Sequence, residues 1–151
     1  MKIALGFDHA GIKAKPALVK YLTDKGYSYV DYGTYTEESC NYADYAEKVA
    51  EAVASGECER GILVCGTGIG MSIAANKVPK IRCAVCGDEF SARATRAHND
   101  ANILAMGERV IGTGVMLAVT EAFLTTDFEG GRHSARIAKI SEIENKYSKQ
   151  Y

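Results

Sequence analysis

The stretch GILVCGTGIGMSIAA (61–75) decides the fold class, because it passes from a strand through a glycine-rich turn into a helix. Its first five residues are apolar without alternation, which is typical of a strand covered on both faces. Glycines at positions 66, 68 and 70 follow the strand, and the pattern predicts a helix that opens near Ile69. A buried strand that leads into a helix is the repeating unit of a parallel sheet.

The same alternation of short apolar runs and helical patterns extends over the rest of the chain. We expect five strands, near residues 2–7, 27–32, 61–65, 81–85 and 102–107. We expect helices near residues 12–25, 44–54, 69 onward, 89–97, 113–124 and 134–149. No linker or repeat interrupts this pattern, so residues 1–151 are predicted to form one Rossmann-like α/β domain. Its three α/β/α layers would hold a five-stranded parallel sheet and a C-terminal helix.

The composition limits the classes of function. The chain has 151 residues, 47% of them hydrophobic, and its 18 basic and 19 acidic residues give a net charge of −1. This balance argues against a surface for nucleic acid or for an anionic membrane. No apolar run approaches the roughly 20 residues of a membrane span. The N-terminal apolar run ends at Asp8, too early for a signal peptide.

The five cysteines indicate a reducing compartment, so we expect a cytoplasmic protein. Their number is odd, and their spacing is not that of a disulfide framework. Cys83 and Cys86 form a C-x-x-C pair, but the pair lies in a predicted strand, on which residues three apart point to opposite faces. We interpret both as buried small side chains rather than as a redox or zinc-binding pair.

The turn CGTGIGMS (65–72) is the strongest local indication of a binding site. Its glycines allow tight turns in which N–H groups converge on a phosphate, or on an oxyanion formed during a reaction. The turn is not a P-loop, since no G-K-S/T follows, and its glycine spacing differs from G-x-G-x-x-G. Met71 stands where a cysteine phosphatase needs an arginine. Cys65 is either a reactive thiol facing this turn or an inert end of a core strand.

Further candidates follow from the geometry of a parallel sheet. Ligands of such sheets bind beyond the carboxyl ends of the strands, which singles out Asp8 and His9 after the first strand. The residues after Cys65 occupy the same position on the third strand. We therefore expect Asp8, His9 and the glycine turn to contribute to one site.

Two histidines and two arginines lie in polar clusters elsewhere. His98 stands in RAHND (96–100) and His133 in GGRHSAR (130–136). No histidine pair has the spacing of a metal-ligand motif, so we expect no metal site. Arg132 and Arg136 are four residues apart and would share one face of a helix. Two guanidinium groups so placed suit a phosphate monoester, although a solvated charged face is an equal alternative.

Taken together, four motifs resemble those of the ribose-5-phosphate isomerase B family, which also contains allose-6-phosphate and galactose-6-phosphate isomerases. They are GFDHAG (6–11), CGTGIGMSIAANKVP (65–79), RAHNDANILAMGERVIG (96–112) and GGRHSARIAKI (130–140). The resemblance spans essentially the whole chain. It implies a Rossmann-like α/β/α domain that forms homodimers, in some members tetramers, with active sites between subunits. The implied reaction is the aldose–ketose isomerisation of a phosphorylated sugar, with neither metal nor organic cofactor.

The resemblance also implies roles for individual residues. Cys65 corresponds to the base that moves a proton between C2 and C1 through an enediolate, and Thr67 to a group that shuttles protons between the two oxygens. His98 corresponds to the acid–base group that opens the furanose ring. The implied substrate-binding residues are Asp8, His9, Gly66, Gly68, Ile69, Gly70, Asn99, Arg109, Arg132 and Arg136. Tyr42 is a further pocket candidate, although a core or turn tyrosine is as good an interpretation.

The chain departs from the family pattern in two places, and alternative substrates and functions stay open. Asn41-Tyr42-Ala43 stands where the family commonly has Asp-Tyr-Pro, and Lys80 where glycine is frequent. A five-carbon substrate is favoured because all the motifs lie in one chain, whereas the galactose-6-phosphate enzymes of the family use two different subunits. Six-carbon phosphates and free aldoses are alternative substrates. A non-catalytic phosphosugar or nucleotide sensor would keep the glycine turn and the arginines but would not need Cys65 or His98.

Overall fold

The computed structural model describes residues 1–148, which form a five-stranded sheet with helices on both faces. The strands are β1 (Lys2–Phe7), β2 (Ser28–Asp31), β3 (Arg60–Cys65), β4 (Cys83–Val85) and β5 (Ile103–Gly107). The helices are α1 (Lys15–Asp24, after a 3₁₀ turn at Ile12–Ala14), α2 (Tyr42–Ala54), α3 (Ile69–Ala75), α4 (Glu89–Asn99), α5 (Thr113–Thr125) and α6 (Arg132–Tyr147). None of the helices within residues 1–148 has both the length and the apolar character needed to cross a bilayer.

All neighbouring strands are parallel, and their order in the sheet is β2-β1-β3-β5-β4. In this register Phe7 pairs with Val64, and Cys65 pairs with Gly107. The connection after β1 leads to one side of the sheet and the connection after β3 to the other. The carboxyl ends of β1 and β3 therefore flank the point at which open parallel sheets bind ligands. The predicted five-stranded parallel sheet is confirmed, whereas the placement of β4 outside β5 is not apparent from the sequence.

Each central strand buries both of its faces, which explains the apolar runs without alternation. On one face, Ile3, Leu5 and Phe7 of β1 pack in the cluster that includes residues of α1, α4 and α5. On the other face, Ala4 packs in the cluster that includes residues of α2 and α3. Cys65 of β3 belongs to this second cluster, so its side chain points to the α2–α3 layer.

The start of α2 explains one departure from the family pattern. The side chain of Asn41 accepts a hydrogen bond from the N–H of Ala43 at 3.1 Å and so caps the helix. Proline at position 43 would have no N–H to donate. The cap lets α2 begin at Tyr42, two residues before the predicted start.

Other boundaries also differ from the prediction by a few residues. α4 continues to Asn99 rather than ending at 97, so His98 lies in its last turn. α6 begins at Arg132 rather than at 134 and ends at Tyr147; Lys149, the predicted end, lies outside the described residues. β4 is shorter than predicted: it spans Cys83–Val85 and does not include residues 81 and 82.

Lys80 has a left-handed backbone conformation, with φ of 71°. Glycine adopts this conformation more readily than any other residue, which accounts for its frequency at this position in the family pattern. Here the N–H of Lys80 donates to both carboxylate oxygens of Glu144, at 2.9 and 3.1 Å. This contact connects the turn before β4 to α6.

The side chains of the C-x-x-C pair point to opposite faces, as predicted, although only Cys86 is buried and Cys83 is half-buried. Cys83 packs in the α2–α3 cluster and Cys86 in the opposite cluster, so the two side chains lie on different faces of the sheet. Both are free thiols. Burial raises the pKa of both, that of Cys86 to about 11, so both stay protonated at neutral pH.

The last turn of α4 is anchored by the buried guanidinium of Arg96. It donates to the carboxylate of Asp100 at 2.7 Å and to the carbonyl of Ala101 at 2.6 Å. It also donates to the carbonyl of Thr126, which follows α5, at 3.3 Å. Arg82 reaches the same Asp100 carboxylate at 3.0 Å. These bonds connect α4, the turn into β5 and the segment after α5.

We predict that Arg96→Met lowers the free energy of unfolding by about 3 kcal/mol, because it leaves buried acceptors without a donor. Equilibrium chemical denaturation measures this change. The matched control is Arg93→Met on the same helix, which removes an exposed pair with Glu89 and is expected to cost about 0.5 kcal/mol. Equal losses in the two variants would contradict the anchoring role of Arg96.

Candidate active site

The sulfur of Cys65 lies at the carboxyl end of β3, in a glycine turn that folds back over it. The N–H of Gly68 donates to Sγ with an N···S distance of 3.1 Å. Gly68 has φ of 80°, which glycine adopts without strain. Cys65 is 5% exposed. The turn therefore encloses the sulfur and gives it a main-chain hydrogen-bond donor.

The turn is held against the end of β5 by main-chain contacts. The N–H of Glu108 donates to the carbonyl of Cys65 at 2.9 Å, and that of Arg109 donates to the carbonyl of Gly66 at 3.1 Å. A Cβ at Gly107 would lie 2.7 Å from the main chain of Thr67. This close approach explains why β5 ends in glycine, and it fixes the path of the turn.

Asp8 and His9 follow β1 at the same edge, as predicted. Asp8 is 4% exposed, and its Oδ1 accepts the N–H groups of Ala10 and Gly11, each at 2.9 Å. This leaves Oδ2 for a ligand. The Nδ1 of His9 accepts the N–H of Cys40 at 3.3 Å. In the neutral ring the proton then resides on Nε2, which can donate to a ligand.

Arg109 and Tyr42 complete this group. The Arg109 side chain lies over Gly66, since a Cβ there would be 3.5 Å from its Cδ. The Tyr42 ring lies against Gly70, where a Cβ would be 2.8 Å from two ring carbons. The ring is partly exposed, so Tyr42 is a side chain beside the glycine turn rather than a core tyrosine.

A second group of predicted residues lies at the C-terminal end of α4 and the start of α6. The His98 and His133 rings stack with centroids 4.4 Å apart and planes 14° apart. His98 is exposed, whereas His133 is 4% exposed. Arg132 and Arg136 lie close enough to act on the charge of His133. This group thus combines two imidazoles with two guanidinium groups.

Glu129 was missed by sequence reasoning, and His133 was noted in a polar cluster without being given a role. Glu129 Oε2 lies 3.6 Å from His133 Nε2, and that nitrogen is buried without a hydrogen-bond partner. Burial lowers the pKa of His133, and His98, Arg132 and Arg136 lower it further, so the ring is neutral at pH 7. His98, Glu129 and His133 each offer a ligand atom within 4.8 Å of the others. Spacing along the chain could not reveal this group, because its histidines are 35 residues apart.

The two groups lie at opposite edges of the sheet. α4 begins after β4 and returns to the amino edge, where the chain enters β5 at Ile103. Ile103 pairs with Gly61, four residues before Cys65, so about 13 Å of strand separates the two levels at roughly 3.3 Å per residue. In addition, Cys65 faces the α2–α3 layer, whereas α4 belongs to the opposite layer. His98 and Cys65 of one chain do not meet.

The predicted site residues are therefore divided. At the carboxyl edge the structure brings together Asp8, His9, Tyr42, Cys65, Gly66, Thr67, Gly68, Ile69, Gly70 and Arg109. At the amino edge it places His98, Asn99, Arg132 and Arg136. No single position within residues 1–148 unites both sets.

Comparison with known proteins gives the family. The family described as ribose/galactose isomerase matches residues 3–140. Ribose-5-phosphate isomerase B of Escherichia coli K12 is 46% identical over 145 residues, covering 96% of this chain and 97% of that protein. D-erythrulose-4-phosphate isomerase of Pectobacterium atrosepticum is 42% identical over 151 residues, 99% of each chain.

Solved structures agree with the sequence relatives. Ribose-5-phosphate isomerase B of Clostridium thermocellum is 54% identical to this chain, with a TM-score of 0.96. The match covers 97% of this chain and 99% of that one. The resemblance of the four sequence motifs is thereby confirmed, and the chain belongs to the ribose/galactose isomerase family.

Proposed function

We propose that the chain interconverts ribose-5-phosphate and ribulose-5-phosphate, an aldose–ketose isomerisation of the pentose phosphate pathway. The observation that carries the proposal is the position of the Cys65 sulfur, enclosed by a turn of main-chain amides between the ends of β1 and β3. Family membership supports isomerisation as the reaction class. A sulfur in this position fits the base that such a reaction needs.

In the proposed reaction the Cys65 thiolate removes the proton from C2 of the open-chain aldose. The C–H electrons form the C1=C2 bond, and the negative charge moves to O1. The hydroxyl of Thr67 transfers a proton from O2 to O1. The thiol then returns its proton to C1, which leaves the carbonyl at C2 and regenerates the thiolate.

The glycine turn would stabilise the enediolate between these two proton transfers. Its N–H groups are fixed by the packing against Gly107, so they need no reorganisation when charge forms on oxygen. The Thr67 hydroxyl oxygen accepts the N–H of Ile69 at 3.3 Å. This bond leaves the hydroxyl hydrogen free to bind a substrate oxygen. Asp8 Oδ2 and His9 Nε2 would hold hydroxyl groups or the phosphate of the sugar.

A complete site requires a second copy of the chain, because His98 and Cys65 lie at opposite edges of one subunit. We place His98 of one subunit opposite Cys65 of the other, where it opens the furanose ring as a general acid–base. Asn99 would bind substrate oxygens. Arg132 and Arg136 would bind the phosphate, since two guanidinium groups suit a phosphate monoester.

The exposed apolar residues support a homodimer. Ile69, at 54% exposure, and Ile73, at 59%, lie one turn apart on α3, directly after the Cys65 turn. Phe90 is 81% exposed at the start of α4. α6 has 16 residues, of which only His133 is buried. A second subunit that covered these surfaces would remove apolar area from water at about 25 cal/mol per Å².

The comparisons favour a five-carbon substrate. The relatives from Escherichia coli and Clostridium thermocellum carry the name ribose-5-phosphate isomerase B, and the Pectobacterium relative is named for a four-carbon phosphate. None of these three is named for a six-carbon phosphate.

A sensor without catalysis would have no use for a sulfur held by a main-chain donor. Catalysis by a free thiol also supports a reducing, cytoplasmic location.

We predict that Cys65→Ala lowers kcat/KM for ribose-5-phosphate about 10³-fold, because the base is lost. Ketose formation measured with purified protein tests this. Cys86→Ala, in the opposite layer, removes a thiol that has no role in the proposed mechanism and is the control, with activity expected within a few-fold of wild type. Activity of Cys65→Ala within a few-fold of wild type would reject the assignment.

His98→Asn should separate ring opening from proton transfer. Ribulose-5-phosphate has no furanose form, because its O5 carries the phosphate. We therefore expect the variant to lose at least about 10²-fold in ribose-5-phosphate turnover and to keep exchange of the C1 hydrogen of ribulose-5-phosphate with solvent deuterium. NMR measures the exchange, and Cys65→Ala should abolish both. Loss of exchange in His98→Asn would contradict a role confined to ring opening.

Complementation tests the shared site. Cys65→Ala and His98→Asn chains, co-expressed with different tags, form a mixed dimer in which one site has both functional side chains and the other has neither. We expect the purified mixed dimer to have about half the wild-type activity per dimer. Failure to recover activity in an intact mixed dimer would show that Cys65 and His98 do not cooperate across subunits.

A further inference from the structure

We propose that His98, Glu129 and His133 form a binding site for a divalent transition metal ion of the Zn²⁺ class, and that an ion bound there inhibits the enzyme. The inhibitory part rests on the proposed role of His98 in ring opening. Two imidazoles and one carboxylate are a donor set that binds Zn²⁺ in proteins while leaving a coordination position open.

The distances suit such an ion. Zn²⁺ bonds of about 2.1 Å place the ligand atoms of a tetrahedral site about 3.4 Å apart. Glu129 Oε2 and His133 Nε2 already lie 3.6 Å apart. All three candidate ligand atoms lie within 4.8 Å of one another. Two of the three ligands therefore need almost no movement.

The buried nitrogen of His133 is an independent indication of a ligand. Nε2 of His133 has no hydrogen-bond partner, and the side chain is only 5% exposed. Buried polar atoms are normally satisfied, and an unsatisfied one costs about 1–3 kcal/mol. A metal ion at Nε2 would supply the missing partner. The ring is also held in place by its burial, since His133 is the one buried residue of α6.

The third ligand must move, and this movement causes the inhibition. The planes of the two rings are 14° apart, so their in-plane lone pairs do not converge on one point. His98 is exposed and can rotate, whereas His133 is buried. Binding therefore turns the His98 ring out of the stack and occupies the nitrogen that would act on the substrate.

The neighbouring charges set the strength of binding. Arg132 and Arg136 act on His133 and oppose a second cation, whereas Glu129 attracts it. Glu129 is thus both a ligand and the compensating charge. Its loss should weaken binding at least about tenfold, which corresponds to about 1.4 kcal/mol.

The experiment measures Zn²⁺ binding and inhibition separately. Full-length Cys65→Ala, freed of metal, is titrated with Zn²⁺ in competition with a chromogenic chelator, so that the active-site thiol cannot contribute. We expect one ion per chain, and at least tenfold weaker binding when Glu129→Gln is added. Asp127→Asn, which removes a charge from the same segment, is the matched control and should leave the affinity unchanged.

The second arm measures isomerase activity in chains that keep Cys65. We expect Zn²⁺ to inhibit, EDTA to restore the rate, and Glu129→Gln to require at least tenfold more Zn²⁺ for the same inhibition. Equal affinities of the Glu129→Gln and parent chains, or binding without inhibition of an active enzyme, would overturn the proposal. If the wild-type chain had no isomerase activity, the proposed function would fail, and the titration alone would decide the metal site.

Discussion

The close approach of the 66–70 turn to the end of β5 is the constraint on which the site depends. Cys65 pairs with Gly107 in the register of the sheet, and the main chain of Thr67 occupies the space that a side chain at 107 would need. The turn can therefore fold back over β3, with Gly68 in a left-handed conformation and its N–H directed at the sulfur. A methyl group at 107 would displace the turn and the donor together. The position of the Cys65 thiol is thus coupled to a contact between two main-chain segments, the 66–70 turn and the end of β5.

The direction of the strands imposes a second constraint. In a parallel sheet every helix that follows a strand carries its first residues at the carboxyl edge and its last residues at the amino edge. His98 is in the last turn of α4, so no adjustment of side-chain rotamers brings it to Cys65 of its own chain. If both act on one sugar, assembly is a condition of catalysis rather than an addition to it. An isolated chain would then keep its fold and its thiol but would be unable to open a ring.

The elements of this fold could be predicted from the sequence to a large extent, because burial on both faces of a strand and on one face of a helix leaves a local pattern. The order of β4 and β5 could not, since it depends on which strands pair across long connections. The start of α2 could not either, because Asn41 caps the helix through the N–H of Ala43, and the proline that the family pattern has at position 43 would lack this donor. Asp8 and Cys65 could be located, since Asp8 directly follows β1 and Cys65 is the last residue of β3. The stack of His98 on His133 could not be foreseen, because it joins the end of α4 to the start of α6, and neither segment carries a motif of metal-ligand spacing.

The amino-edge group has to meet two opposing electrostatic demands. Arg132 and Arg136, which we propose to bind the phosphate, create a positive potential, and this potential also acts on His133 beside them. Burial and the positive neighbours lower the pKa of His133, which favours the neutral form of the ring that stacks on His98. Glu129, at the rim of the stack, moderates the potential at His133. The same carboxylate completes a set of donor atoms for a metal ion, so the proposed sensitivity to metal follows from how this edge accommodates positive charge.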